Sequence, residues 1–274
     1  MCDSDVGSSL LVFRYRWELR KKMKRCRINE SQNKDRFWEV DCIRGSTIIF
    51  MIMYNYSFTL SYLNIYTVNG GFFYWYIFPR LIAATFILVS GLSLTLFHSR
   101  IQNKTESKTT ICLRGLKIFS LGLLITIITF GTFPEEFIIF GILHLIGFSI
   151  IFGQFLLKYT RLTLFAGSLL IAIGGYLQNF RVGFPWLSWL GFIPKHFVTL
   201  DYFPVIPWFG VYLVGITLGT LLYPNGQRTW KITDYANSFI VKILSFLGKH
   251  SLLIYLLHQP LFILVLMMLG FKIF

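Results

Sequence analysis

The chain has 274 residues, of which 55% are hydrophobic, 18% aromatic and only 14% charged. A soluble domain carries about 25% charged residues, so this composition excludes a disordered chain, a coiled coil and a disulfide scaffold, and it argues against a soluble enzyme. The 26 Lys and Arg exceed the 12 Asp and Glu by 14; among long apolar runs, that excess reads as the basic rim of a membrane protein and not as a nucleic-acid patch.

Residues 1–35 are polar and basic, with a dense run from Arg14 to Arg27 (RYRWELRKKMKRCR). A disordered cytoplasmic tail is expected there, ahead of a membrane domain over 36–274. Anionic lipid is the alternative partner for the basic run. The apolar piece Leu10–Phe13 is too short for a signal-peptide core. The four cysteines, at 2, 26, 42 and 112, form no Cys-x-x-Cys pair, so no metal site is expected.

A membrane helix needs about 20 mostly apolar residues. Seven stretches qualify, near 43–65, 75–97, 114–132, 137–157, 161–178, 204–223 and 250–270, which predicts an all-α polytopic bundle. If all seven cross, 22 of the 26 basic residues fall on one face. The positive-inside rule then places the N-terminus in the cytoplasm and the C-terminus outside, with the plasma membrane as the expected location.

Ionisable groups inside a membrane are costly and mark cavities or pathways. In the first span Asp41 and Arg44 lie three residues apart, on one helix face, and can pair. Asn55 lies eleven residues beyond Arg44, which returns it to that face about 16 Å deeper. Arg80 follows Pro79 at the far end of span two, where it either snorkels to headgroups or reaches into a cavity. Glu135 and Glu136 precede span four and suit its helix dipole. His144 lies about two turns further in, as a helix-packing group or a site residue. Pro185 and Pro194 break the segment 179–203, and its Trp186, Trp189 and Phe192 suit a membrane interface, covering a cavity mouth. Asp201 is expected to cap span six, in which Gly215 and Gly219 allow close packing. In the last span Ser251, Tyr255 and His258 make one polar stripe. His258 lies about 13 Å from the cytoplasmic end, near the depth of Asn55, and Pro260 is expected to kink the helix there.

Five segments, in order, resemble the catalytic domain of heparan-alpha-glucosaminide N-acetyltransferase and its small prokaryotic relatives. They are RFWEVDCIRG (36–45), FPRLIAATFILVSGLSL (78–94), PEEFIIFGILHLIG (134–147), LDYFPVIPWFGVYLVGI (200–216) and LGKHSLLIYLLHQP (247–260). The resemblance implies a transmembrane acyltransferase moving acetyl from cytoplasmic acetyl-CoA to a sugar or glycan acceptor, without a metal. It places His258 on a histidine of the heparan enzyme's last helix and His144 on a position of the prokaryotic relatives. The heparan enzyme's first outer loop supplies a histidine, whereas Tyr56 to Tyr74 contains none here. The expected chemistry is a His258 or His144 base, with Asn55 or Tyr255 donating to the oxyanion. Arg44, set by Asp41, would bind coenzyme A phosphates. Arg80, Asp201, Tyr255 and Glu136 are the expected acceptor contacts. Membrane lipid is the expected surrounding partner, nucleic acid is not expected, and a homodimer is compatible. The alternatives are a transporter or glycolipid flippase without covalent chemistry, or an inactive scaffold.

Overall fold

The computed structural model describes residues 36–101, 104–230, 233 and 235–271. The basic tail at 1–35, Lys231 and Lys272 lie outside the described residues. The elements in chain order are α1 (Trp38–Tyr62), a π-helical turn (Phe73–Ile77) leading into α2 (Phe78–Arg100), α3 (Lys104–Thr132), α4 (Ile142–Gly153), α5 (Thr160–Leu177), α6 (Val205–Leu222), α7 (Phe239–Lys249) and α8 (Ser251–Met268). The described chain is a helix bundle, as expected.

Each of the seven predicted stretches holds a helix. Five of them, α2, α3, α5, α6 and α8, are long and apolar enough to cross a membrane. α1 has the length, 25 residues, but the hydroxyls and amide of its second half dilute its apolar character. α4 corrects the expectation of a span over 137–157. It has only 12 residues, about 18 Å, against a hydrocarbon core about 30 Å thick. The chain before it makes a turn at 134–136 and then bridges Phe140 to Tyr202, and the helix starts only at Ile142.

α6 packs between α2 and α5, and the core is built on Ile87, Leu145, Tyr212, Leu213 and Ile216. Within lipid such contacts hold by dispersion and close approach. Gly215 accordingly lies against the backbone of Leu88, as its small-residue spacing suggested.

α7 is a short amphipathic helix with Phe239, Ile240, Ile243 and Phe246 exposed. It runs antiparallel to the first half of α1, where two glycines let the backbones touch. A Cβ on Gly45 would meet the Leu244 carbonyl, and one on Gly248 would meet the Asp41 carbonyl. Cys42 Sγ adds a contact to the Val241 carbonyl at 3.6 Å. This seam fixes the turn of α1 that carries Asp41 and Arg44.

Segment 179–203 folds over the start of α4. Arg181–Val182 pairs in parallel with Ile193–Pro194. The Tyr202 hydroxyl donates to the Ser188 carbonyl at 2.7 Å, and Phe203 N–H donates to the Phe140 carbonyl at 2.9 Å.

Candidate active site

The expected depth match between Asn55 and His258 becomes a direct contact. Asn55 Nδ2 lies 3.3 Å from His258 Nε2, joining α1 to α8. His258 Nδ1 lies 2.6 Å from the Tyr255 carbonyl oxygen. A carbonyl can only accept, so Nδ1 carries the proton and Nε2 presents its lone pair. Asn55 therefore donates to Nε2. The His258 side is buried, only 8% exposed. Its ring is braced by Tyr56, whose hydroxyl donates to the His258 carbonyl at 3.2 Å and whose ring stacks on Phe262 at 3.9 Å. α8 runs through Pro260 without ending there. The backbone position that Pro260 leaves without a donor does not break the turn that carries His258.

His144 is arranged in the opposite way. Its Nδ1 accepts the Gly141 backbone N–H at 3.3 Å, so the proton sits on Nε2, which faces Thr126 Oγ1 at 3.5 Å. Phe140 stacks on the ring and Phe119 meets it edge-on. Both nitrogens are committed to holding the start of α4 against α3, and no lone pair is left for a substrate proton. His144→Ala is therefore expected to destabilise the fold by about 2 kcal/mol, read as a lower thermal midpoint in detergent. Turnover of the folded fraction should stay within about threefold.

Asp201 does not cap α6, whose N-cap is Pro204. Its carboxylate instead accepts the Ile142 N–H at 3.2 Å and caps α4 from across the chain. Glu135 and Glu136, seven and six residues ahead of Ile142, lie too far from α4 for the dipole role expected of them. A cavity of about 10 Å³, large enough for about one water molecule, is lined by Asp201, His144, Gly141, Gly122 and Tyr255 among others. Tyr255 thus joins the two histidine regions: its carbonyl holds His258 and its side chain faces Asp201. Burial pushes the Asp201 carboxyl up to about 7, against the opposing pull of the Ile142 and Tyr202 backbone N–H groups. A carboxyl raised in the fold favours folding most at pH values below its ordinary range near 3.8. That contribution is lost as pH rises to about 7 and is constant above it. The thermal midpoint should fall from pH 4 to 7 more steeply in the wild type than in Asp201→Asn.

At the far end of α1 from Asn55, Arg44 donates to Asp41 Oδ1 at 3.3 Å and to Ser93 Oγ of α2. Arg36 holds the other Asp41 oxygen at 3.3 Å. The pairing of Asp41 with Arg44 read from their spacing is present. Beside it, Arg228 grips Glu39 with two bonds of 2.9 and 2.7 Å, and Tyr223 adds a third at 3.0 Å. Arg100 and Arg228 both lie over the Phe37 ring, at 5.8 and 5.6 Å. One track on α1 therefore links a guanidinium-rich end to the amide–imidazole pair.

The model of the family described as heparan-alpha-glucosaminide N-acetyltransferase, catalytic, matches residues 36–260. The chain belongs to this family. The match covers every element from α1 to the site histidine of α8, and it bears out the resemblance carried by the five ordered motifs. No match was found among the curated proteins or among the solved structures. Membership gives the chain an acetyltransferase-like function in general.

Arg36, Arg44 and Arg228 gather around Glu39 and Asp41 at this end, with Arg100 over the Phe37 ring, and guanidinium groups match phosphate geometry. Two expected acceptor contacts lie away from the imidazole of this N-acetyltransferase-family chain. Arg80 turns back on its own helix entrance, donating to the Tyr76 carbonyl at 2.7 Å and lying over the Tyr76 ring. Glu136 accepts from the Tyr62 hydroxyl at 3.0 Å, two turns of α1 beyond Asn55. Sequence reasoning missed Tyr56, Thr59 and Gln259. Thr59 offered a signal, since it lies four residues beyond Asn55 and so continues the same face.

Proposed function

We propose that the protein is a membrane acyltransferase that moves an acetyl group from acetyl-CoA to a sugar or glycan acceptor, with His258 as the base. The observation that carries this reading is the Asn55–His258 pair, in which a buried imidazole keeps a basic lone pair on Nε2. The Arg44 end would face the cytoplasm, in keeping with the basic rim, and bind the coenzyme's phosphates. The thioester would then reach along α1 toward Asn55, and the acceptor would enter from the opposite end.

The acceptor's N–H or O–H replaces the Asn55 amide at His258 Nε2. As the nucleophile bonds to the thioester carbonyl carbon, Nε2 takes its proton and the carbonyl oxygen becomes an oxyanion. The displaced Asn55 N–H is then free to donate to that oxygen. Collapse breaks the carbon–sulfur bond, and the proton on Nε2 passes to the leaving thiolate. The products are the acetylated acceptor and free coenzyme A. Asp41 and Ser93 hold the Arg44 guanidinium so that it need not be ordered at binding. Tyr255 fixes the imidazole tautomer through its carbonyl. Of the two donors expected for the oxyanion, Asn55 is the one at the imidazole, because the Tyr255 side chain faces Asp201.

Purified protein supplied with labelled acetyl-CoA and a panel of amino sugars and polyols should release coenzyme A in step with an acetylated product found by mass spectrometry. Uptake of sugars into proteoliposomes with no acetylated product would favour the transporter reading.

A further inference from the structure

Gln259 follows His258 on α8 and plays no part in the proton transfer above. Its Nε2 donates to Thr59 Oγ1 at 2.7 Å. The single hydroxyl proton of Thr59 goes to the Asn55 carbonyl at 2.9 Å, so Thr59 can only accept from the amide. That fixes which end of the amide faces α1. The carbonyl end, Gln259 Oε1, is buried and has no hydrogen-bond partner among the described residues. Leaving a buried acceptor unmet is costly, a cost that a hydrogen-bonding ligand removes.

The position of this orphan group is informative. Thr59 lies one turn, about 6 Å, beyond Asn55 and away from Arg44. Gln259 is therefore on the side of the imidazole opposite the guanidinium-rich end. The stacked rings of Tyr56 and Phe262 lie in the same α1–α8 seam. An unmet acceptor in an aromatic seam suits a sugar ring with a donor on its edge.

Resting on the acyltransferase reading, we propose that Gln259 is the specificity-determining residue for the acceptor: its Oε1 takes a hydrogen bond from an O–H or N–H on the carbon next to the acetylated group. The acceptor class is thus one with adjacent donors, an amino sugar or a vicinal diol, and not a simple amine or monohydric alcohol. Sites built around a buried polar group reject analogues that lack its partner.

The test measures binding by saturation-transfer NMR, with the full chain in nanodiscs. The two probes are an amino-sugar glycoside and its analogue lacking the hydroxyl on the neighbouring carbon. The wild type should bind the parent at least about tenfold tighter than the analogue. Gln259→Met, which keeps the volume and removes the acceptor, should weaken the parent to the level of the analogue. Gln259→Glu keeps an acceptor oxygen and should keep the preference. A wild type that binds the two equally, or binds neither, overturns the proposal, as does a Gln259→Met variant that still discriminates. Acetyl transfer is followed in the same samples. Discrimination without transfer would sink the acyltransferase reading and leave the recognition role standing. Transfer without discrimination overturns the recognition role alone.

Discussion

Replacing His258 by Ala is expected to lower kcat for acetyl transfer by about 10³-fold, in the range of a lost general base. The structure supplies the reason. Nε2 is the imidazole lone pair left over when Nδ1 is tied to the Tyr255 carbonyl at 2.6 Å, and His144 has no such atom to spare. The KM for acetyl-CoA should stay within about threefold, because the change is felt in the transition state and not in donor binding. Asn55→Ala makes a second, smaller loss, about 10²-fold in kcat, through the missing oxyanion donor. Matched loss in His144→Ala, with the fold intact, would move the base to α4 and contradict the geometry above.

Arg44→Ala should produce the complementary pattern. Its guanidinium bridges Asp41 on α1 to Ser93 on α2, so it is held at the site before any donor arrives. Its loss is expected to raise the KM for acetyl-CoA by about 30-fold or more, with kcat nearly unchanged. Arg44→Lys should recover only part of the affinity, since an ammonium is a point charge without the planar fork. Salt should weaken donor binding in the wild type more than in Arg44→Ala. An Arg44→Ala enzyme with unaltered KM would remove this end of α1 from donor binding.

Much of this arrangement was legible along the chain, because membrane helices announce themselves by apolar length and because polar residues stand out against that background. The Asp41–Arg44 pair follows from helix spacing alone. The shared depth of Asn55 and His258 follows from adding up helix rise, although their contact depends on α1 lying beside α8. What stayed hidden depends on which helices touch. Asp201 was read as a cap for the helix it precedes, yet segment 179–203 folds back and lends the carboxylate to α4. His144 looked as available as His258, and only the donors and acceptors around each ring separate them. Gln259 is one of several amides in the sequence, and its importance rests on Thr59 having already spent its proton on Asn55. α7 is too short to register as a span, although its apolar residues at 239, 240, 243 and 246 have helical spacing. The break after Lys249 separates it from α8 and allows the glycine seam with α1.

The central claim is that one buried imidazole takes the acceptor's proton while acetyl passes from a donor at the Arg44 end to an acceptor at the other. Its most direct test uses proteoliposomes sorted by orientation, with labelled acetyl-CoA on one face, an amino-sugar acceptor on the other, and mass spectrometry of the product. The wild type should form labelled acetylated sugar only when the donor is on the Arg44 side, and His258→Ala should form at least about 10²-fold less. Equal product from wild type and His258→Ala, or product regardless of the side that receives the donor, would contradict it.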